Sequence, residues 1–297
     1  MKVDSAFQIG KTHDICQDFA LASYVNASMP FTIIADGCSS SPSTDVGSRI
    51  LSLASTHQLE RIVQETGELH TFSPNVGIVQ AQHVCNALNI SSRAVDSTLL
   101  ISTFNRGKTQ IRILGDGAIA IGTKNGDIIT IDFNYVKGFP FYMSYLPECS
   151  KDFLNWEKQY SECKITLSIL NNNGFEEYDS LTGDYNYFCS SSEYPEINIL
   201  GSTWDKKVNI KDHFEKVEWV ALMSDGVHSF YNAQNLDTSI VNVEIDYRDV
   251  IKEVLNFKNF NGKFMQRRLN RFLKFCEKNN WHHADDISFG TIYFGDK

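Results

Sequence analysis

No two cysteines in this 297-residue chain are spaced Cys-x-x-Cys, and their number, seven, is odd. A disulfide framework and a zinc ribbon are therefore not expected. Thiols scattered at 16, 38, 85, 149, 163, 189 and 276 suit a reducing, cytoplasmic setting. Basic charge is also short: 27 Lys and Arg against 36 Asp and Glu leave a net charge of −9. That argues against a nucleic-acid partner, which calls for a basic surface. No apolar run approaches the length of a membrane span, and Met1 to Gly10 lacks the long apolar stretch of a signal peptide. Neither membrane insertion nor export is expected.

Two chemical motifs are missing as well. Gly10-Lys11-Thr12 and Gly107-Lys108-Thr109 imitate the end of a phosphate-binding P-loop, but the positions that need the earlier glycine hold Ser5 and Ser102. Neither run leads into a helix pattern, so a P-loop nucleotidase is excluded. There is no Gly-x-Ser-x-Gly nucleophile elbow.

What is present is enough apolar content, 42% with 12% aromatic, for a substantial core. Residues 3–10, 19–25 and 31–35 read as strands. A helix from Thr44 or Ser43 to about Glu65 would bury Val46, Ile50, Leu53, Ala54, Ile62 and Val63. A second, Asn75 to about Asn89, carries the stripe Val76, Val79, His83 or Val84, Ala87 and Leu88. Four strands follow within 97–133, with turns at Asn105-Arg106-Gly107 and Lys124-Asn125-Gly126. Residues 134–216 change character. Between Asn171 and Leu200 lie six carboxylates and no Lys, Arg or His. This stretch reads as an insertion, a lid or flap on one domain spanning 1–297, because it lacks an apolar pattern for its own core. Val217 to Met223 reads as a strand, and Asp246 to Phe257 and Gly262 to Asn279 as helices. Hairpins with paired helices predict an α+β fold.

One grammar recurs. Phe31-Thr32-Ile33-Ile34-Ala35 ends in Asp36-Gly37, Ile111-Arg112-Ile113-Leu114-Gly115 in Asp116-Gly117, and Trp219-Val220-Ala221-Leu222-Met223-Ser224 in Asp225-Gly226. The mirrored form closes the chain, with Ala284-Asp285-Asp286 preceding the strand Ile287 to Phe294. A single Asp-Gly is an ordinary turn. Four carboxylate units meeting at one sheet edge would be a cluster of hard oxygen ligands, suited to Mg²⁺ or Mn²⁺ rather than zinc.

In order and spacing these elements resemble the metal-dependent protein phosphatases of type 2C, the PPM family, as a divergent bacterial-like member. Gly10 to Asp18 resembles the family's opening pattern, Ala35-Asp36-Gly37 its central metal element, and Asp45-Val46-Gly47-Ser48-Arg49 the helix start that follows. Ser97-Thr98-Leu99-Leu100, Gly115-Asp116-Gly117, Ser224-Asp225-Gly226-Val227 and Asp285-Asp286-Ile287-Ser288 resemble the later elements. The resemblance covers about 1–133 and 217–297. It implies a four-layer α-β-β-α sandwich, two antiparallel sheets flanked by helix pairs, with two Mg²⁺ or Mn²⁺ ions at one end. It further implies that Asp36 bridges both ions, that Asp225 and Asp285 hold the first, and that the Gly37 carbonyl, with Asp18 acting through water, serves the second. Asp116 would lie near a third, weaker position. The implied activity is hydrolysis of phosphoserine and phosphothreonine in proteins, opposing a cognate Ser/Thr kinase.

Three departures stand out. His13 occupies the place of the family's phosphate-clamping Arg, with Lys11 as a substitute clamp; Cys38 stands where many relatives have His, and Ser229 where many have Asp. The rival readings are a non-catalytic phosphatase-like module that binds a phosphoprotein or signalling partner, and an unrelated acidic β-sandwich whose Asp-Gly pairs are turns.

Overall fold

The computed structural model describes residues 1–67, 74–135, 137–145, 163–171, 174–182, 186–191, 194–201, 207–209, 217–236 and 239–295. The strands are β1 (Lys2–Gln8), β2 (Phe19–Tyr24), β3 (Pro30–Ala35), β4 (Leu99–Asn105), β5 (Lys108–Leu114), β6 (Gly117–Thr123), β7 (Ile128–Tyr135), β8 (Cys163–Asn171), β9 (Gly174–Thr182), β10 (Asn186–Ser191), β11 (Tyr194–Gly201), β12 (Lys207–Asn209), β13 (Val217–Met223), β14 (Phe230–Leu236), β15 (Ser239–Glu244), β16 (Trp281–His283) and β17 (Ile287–Tyr293). The helices are α1 (Thr44–Thr66), α2 (Pro74–Ala87), α3 (Tyr247–Val254) and α4 (Phe264–Asn279).

Two seven-stranded sheets form the middle layers. One runs β1-β17-β13-β6-β7-β8-β9 and the other β12-β10-β11-β5-β4-β3-β2, with a small sheet β15-β14-β16 beside them. The α1–α2 pair packs through α1 on β2 and β3, and α4 packs on β1 and β17, so helices cover both outer faces. This is the expected four-layer α+β sandwich.

Strict alternation builds the layers. On β6, Ile119 and Ile121 enter the core between the sheets while Ala118 and Ala120 enter the one under α3 and α4. On β13, Val220 and Leu222 point one way, and Trp219, Ala221 and Met223 the other. Met265, Leu269 and Phe272 of α4 are completely buried in the second of these cores. Each such side chain contributes about 1.5–3 kcal/mol. Asp246 caps α3, its carboxylate accepting from Arg248 N at 2.9 Å.

Three expectations are corrected. The α2 stripe is turned away from its predicted face: Val76, Val79, Val84 and Leu88 are exposed, while Gly77, Ile78, Ala81 and Cys85 are buried. Apolar residues ring this helix, and its small ones fit α1, where a Cβ on Gly77 would meet Ser55 Oγ at 3.3 Å. Leu53 of α1, expected in the core, is likewise 56% exposed. Second, within 134–216 the described residues 163–171, 174–182, 186–191, 194–201 and 207–209 form β8 to β12, which extend both sheets; residues 136, 146–162, 172–173, 183–185, 192–193, 202–206 and 210–216 of that stretch lie outside the described residues. Third, the second sheet is not wholly antiparallel, because β11 runs parallel to β5 and β12 parallel to β10.

The cysteines at 16, 38, 85, 163 and 276 are free thiols; Cys149 lies outside the described residues. Among the described residues no helix is long and apolar enough to cross a membrane.

Candidate metal centre

Strand register, rather than proximity in sequence, assembles the carboxylates. Phe19 pairs with Ala35, so Asp18 and Asp36 leave β2 and β3 at the same end. Met223 pairs with both Ala118 and Phe289, which brings the turns bearing Asp116, Asp225 and Asp285 to that end of the other sheet. Asp116 sits in a tight reversal between Gly115 and Gly117, at φ +114° and +127°, backbone angles that glycine tolerates. The Asp36 carbonyl is fixed by Thr98 N at 2.9 Å and Ser97 Oγ at 2.8 Å.

Charge shows how closely these groups meet. Burial, then Asp18, Asp225 and Asp116, push the Asp36 carboxyl well above its ordinary pKa. Burial, then Asp225, Asp132 and Asp285, do the same to Asp116. Asp285 is raised by burial and by Asp225. Burial raises Asp18 to about 7, although Ser224 Oγ donates to its Oδ2 at 2.7 Å. Asp18 Oδ1 is buried with no donor to pair it.

These side chains fit hard divalent cations in donor chemistry and in charge. The set is all oxygen, a buried carboxylate oxygen lacks a partner, and like charge helps raise the pKa of Asp36, Asp116 and Asp285, the condition a cation relieves. Among the described residues no three of them stand in ligand geometry around one point.

Asp286, for which the sequence suggests no role beside Asp285, is the better anchored of the two. It is 2% exposed and accepts from Gly10 N at 2.7 Å and Gln17 N at 2.6 Å, closing the opening loop around itself. Gly226 packs on the same corner, where a Cβ would fall 1.7 Å from Asp286 O. Ser229 Oγ accepts from Asp285 N at 3.1 Å and donates to Gly226 O at 2.8 Å, joining the two late carboxylate segments. The sequence signal for Asp286 lies in the Asp-Asp pair, and Ser229 shows in sequence only as a departure from the family's Asp. Replacing Asp286 by Ala would strand two backbone donors, so Asp286→Ala is expected to cost about 3 kcal/mol in urea unfolding. Asp285→Asn should cost little stability. Equal losses for the two variants would refute the distinction.

The two residues expected to clamp phosphate are both engaged. His13 Nδ1 lies 3.1 Å from Asp286 Oδ1, and Nε2 3.5 Å from Asp285 Oδ1. Burial alone would lower the imidazole pKa, but Asp286, then Asp285 and Asp18, override it and raise it. Lys11 Nζ is 2.7 Å from His282 Nδ1. A separate cleft of about 590 Å³, lined by Lys2, Trp219, Lys252, Phe257 and Tyr293 among others, lies at the opposite ends of β6, β13 and β17, away from this chemistry.

The sequence model of one family, protein phosphatase 2C, matches residues 10–274. Among solved structures, a bacterial serine phosphatase carrying a point mutation superposes with a TM-score of 0.53 at 13% identity, covering 100% of this chain and 99% of that one. The Mycobacterium tuberculosis serine/threonine phosphatase PstP/Ppp gives a TM-score of 0.45 at 9% identity, covering 98% and 97%. RsbX in complex with magnesium gives 0.39 at 10% identity, covering 97% and 92%. At 13% identity the likeness to the first of these is one of fold. No curated protein matches the chain by sequence.

Proposed function

Since the chain belongs to the protein phosphatase 2C family, we propose that it hydrolyses phosphoserine and phosphothreonine in protein substrates, with two Mg²⁺ or Mn²⁺ ions at the carboxylate centre. One observation carries this reading: strand register brings aspartates from distant strand ends to one end of the sandwich, where burial and like charge raise the pKa of Asp36, Asp116 and Asp285. Asp36 would be shared by both ions; Asp225 and Asp285 would hold the first, Asp18 and the Gly37 carbonyl would serve the second, and Asp116 would stand near a third. Bound ions would supply a nucleophile from water near neutral pH and offset charge on the phosphoryl group. Ser224 orients Asp18, because its hydroxyl donates to that carboxylate while accepting from Ser288 N at 2.9 Å. The Asp285–Asp286 corner holds His13 and the opening loop in place. His13 and Lys11 would meet the substrate phosphate only by exchanging their present partners for it, a weaker role than an unengaged Arg would have.

The second reading, a phosphatase-like module without turnover, draws on the lack of three described side chains in ligand geometry. Assays with p-nitrophenyl phosphate and a phosphothreonine peptide, with and without Mn²⁺, separate the two. Mn²⁺-dependent release of phosphate supports the enzyme; phosphopeptide binding without release supports the module.

A further inference from the structure

The sheet face that carries α3 and α4 ends, away from the carboxylates, in one cross-strand row. Lys2 pairs with Tyr293, Tyr293 with Trp219, Trp219 with Gly122, Gly122 with Ile128 and Ile128 with Leu170. Helix α3 stops at Val254 and α4 starts at Phe264. A connection, not a helix, therefore passes over this row. The cleft of about 590 Å³ lies between them, with the row as floor and residues 255–261 as wall.

The wall is held in place by its own contacts. Phe260 stacks on Tyr293 with ring centres 3.8 Å apart, and Phe257 meets Trp219 edge-on at 5.4 Å. Asn259 Oδ1 accepts from Arg267 Nη2 at 3.0 Å and from Asn261 N at 3.2 Å. Lys2 Nζ donates to Asn261 Oδ1 at 2.6 Å and ties the wall to β1. On the floor only glycine fits at 122, because a Cβ there would fall 2.0 Å from the Trp219 indole.

Three chemistries share this lining. Phe257 and Tyr293 are half-buried and keep ring surface for a planar group. Lys2, Lys252 and Lys258 bring three positive charges against the two carboxylates of Asp127 and Glu218, a local excess of the sign opposite to the chain's net −9. Among the described residues no carboxylate pairs with Lys252 or Lys258, and a lysine ammonium binds phosphate as a point charge. The carboxylates accept from hydroxyl groups. The volume suits a small molecule, for which pockets run from about 300 to 1,000 Å³.

We propose that this cleft binds a nucleoside monophosphate, its base against the Phe257 and Tyr293 rings, its phosphate at Lys252 and Lys258, and its ribose hydroxyls at the carboxylates. No bond is made or broken there, and the proposal does not depend on the phosphatase reading.

Calorimetry in EDTA, which keeps metal-held phosphate out of the carboxylate centre, tests this with AMP and UMP as probes. One of them should bind at least roughly tenfold more tightly than ribose 5-phosphate, which lacks the ring, and than its own nucleoside, which lacks the anion. The double variant Lys252→Ala/Lys258→Ala should weaken that binding by roughly tenfold or more. Both lysines are exposed, so its melting temperature should match the wild type. Lys252→Arg/Lys258→Arg keeps both charges and should stay within about threefold of the wild type. Failure of both nucleotides to bind overturns the proposal. So does binding that survives removal of the two lysines, binding lost equally in the arginine variant, or binding that ribose 5-phosphate matches.

Discussion

Asp36→Asn is expected to abolish turnover while leaving the chain folded. The substitution keeps the side chain's size and removes the charge that two cations would share. A drop in kcat beyond about a thousandfold, equivalent to about 4 kcal/mol of transition-state stabilisation, is expected in the Mn²⁺-supplemented assay. Stability should move differently. In the cation-free protein Asp36 is crowded by Asp18, Asp225 and Asp116, which raise its pKa together with its burial. A neutral amide ends that repulsion, so without metal the variant should melt at or above the wild-type temperature. The backbone holding this position is untouched, since Ser97 and Thr98 donate to the Asp36 carbonyl. Near-normal turnover, or circular dichroism showing lost structure, would contradict the assignment.

Removing the metal should both stop catalysis and change how stability depends on pH. The carboxyls of Asp18, Asp36, Asp116 and Asp285 all have raised pKa values, Asp18 at about 7. The folded cation-free protein therefore holds more protons than the unfolded chain above the ordinary carboxyl range. Stability then falls as pH rises from about 4 through the raised values. The His228–Asp132 pair, 2.8 Å apart, acts in the same direction. Burial would lower the His228 pKa, but Asp132 overrides it and raises it. Its contribution is present below about 6.5 and is lost as pH passes the folded value. In EDTA the melting temperature should thus be higher at pH 5.5 than at pH 8. Added Mn²⁺ competes with the protons, so it should raise the melting temperature more at pH 8 than at pH 5.5. A metal effect larger at low pH, or full activity in EDTA, would refute the centre.

Much of this was legible in the chain. A β-branched run halting at Asp-Gly states locally that a carboxylate stands at the end of a buried strand, and three such runs plus Asp285-Asp286 marked the positions that the fold brings together. The alternation on β6 and β13, Ile against Ala and Val or Leu against Trp, Ala or Met, is also visible in the chain, while the two cores it divides between come from the fold. These are short-range signals, carried by neighbours a few residues apart.

Tertiary structure alone decided the rest. Which carboxylates meet depends on register between strands far apart in sequence, as where Met223 faces both Ala118 and Phe289. Asp286 is a loop anchor because the backbone amides of Gly10 and Gln17 come to it across most of the chain. On α2 the hydrophobic pattern allowed more than one face, and the fit of Gly77, Ala81 and Cys85 against α1 selected the buried one.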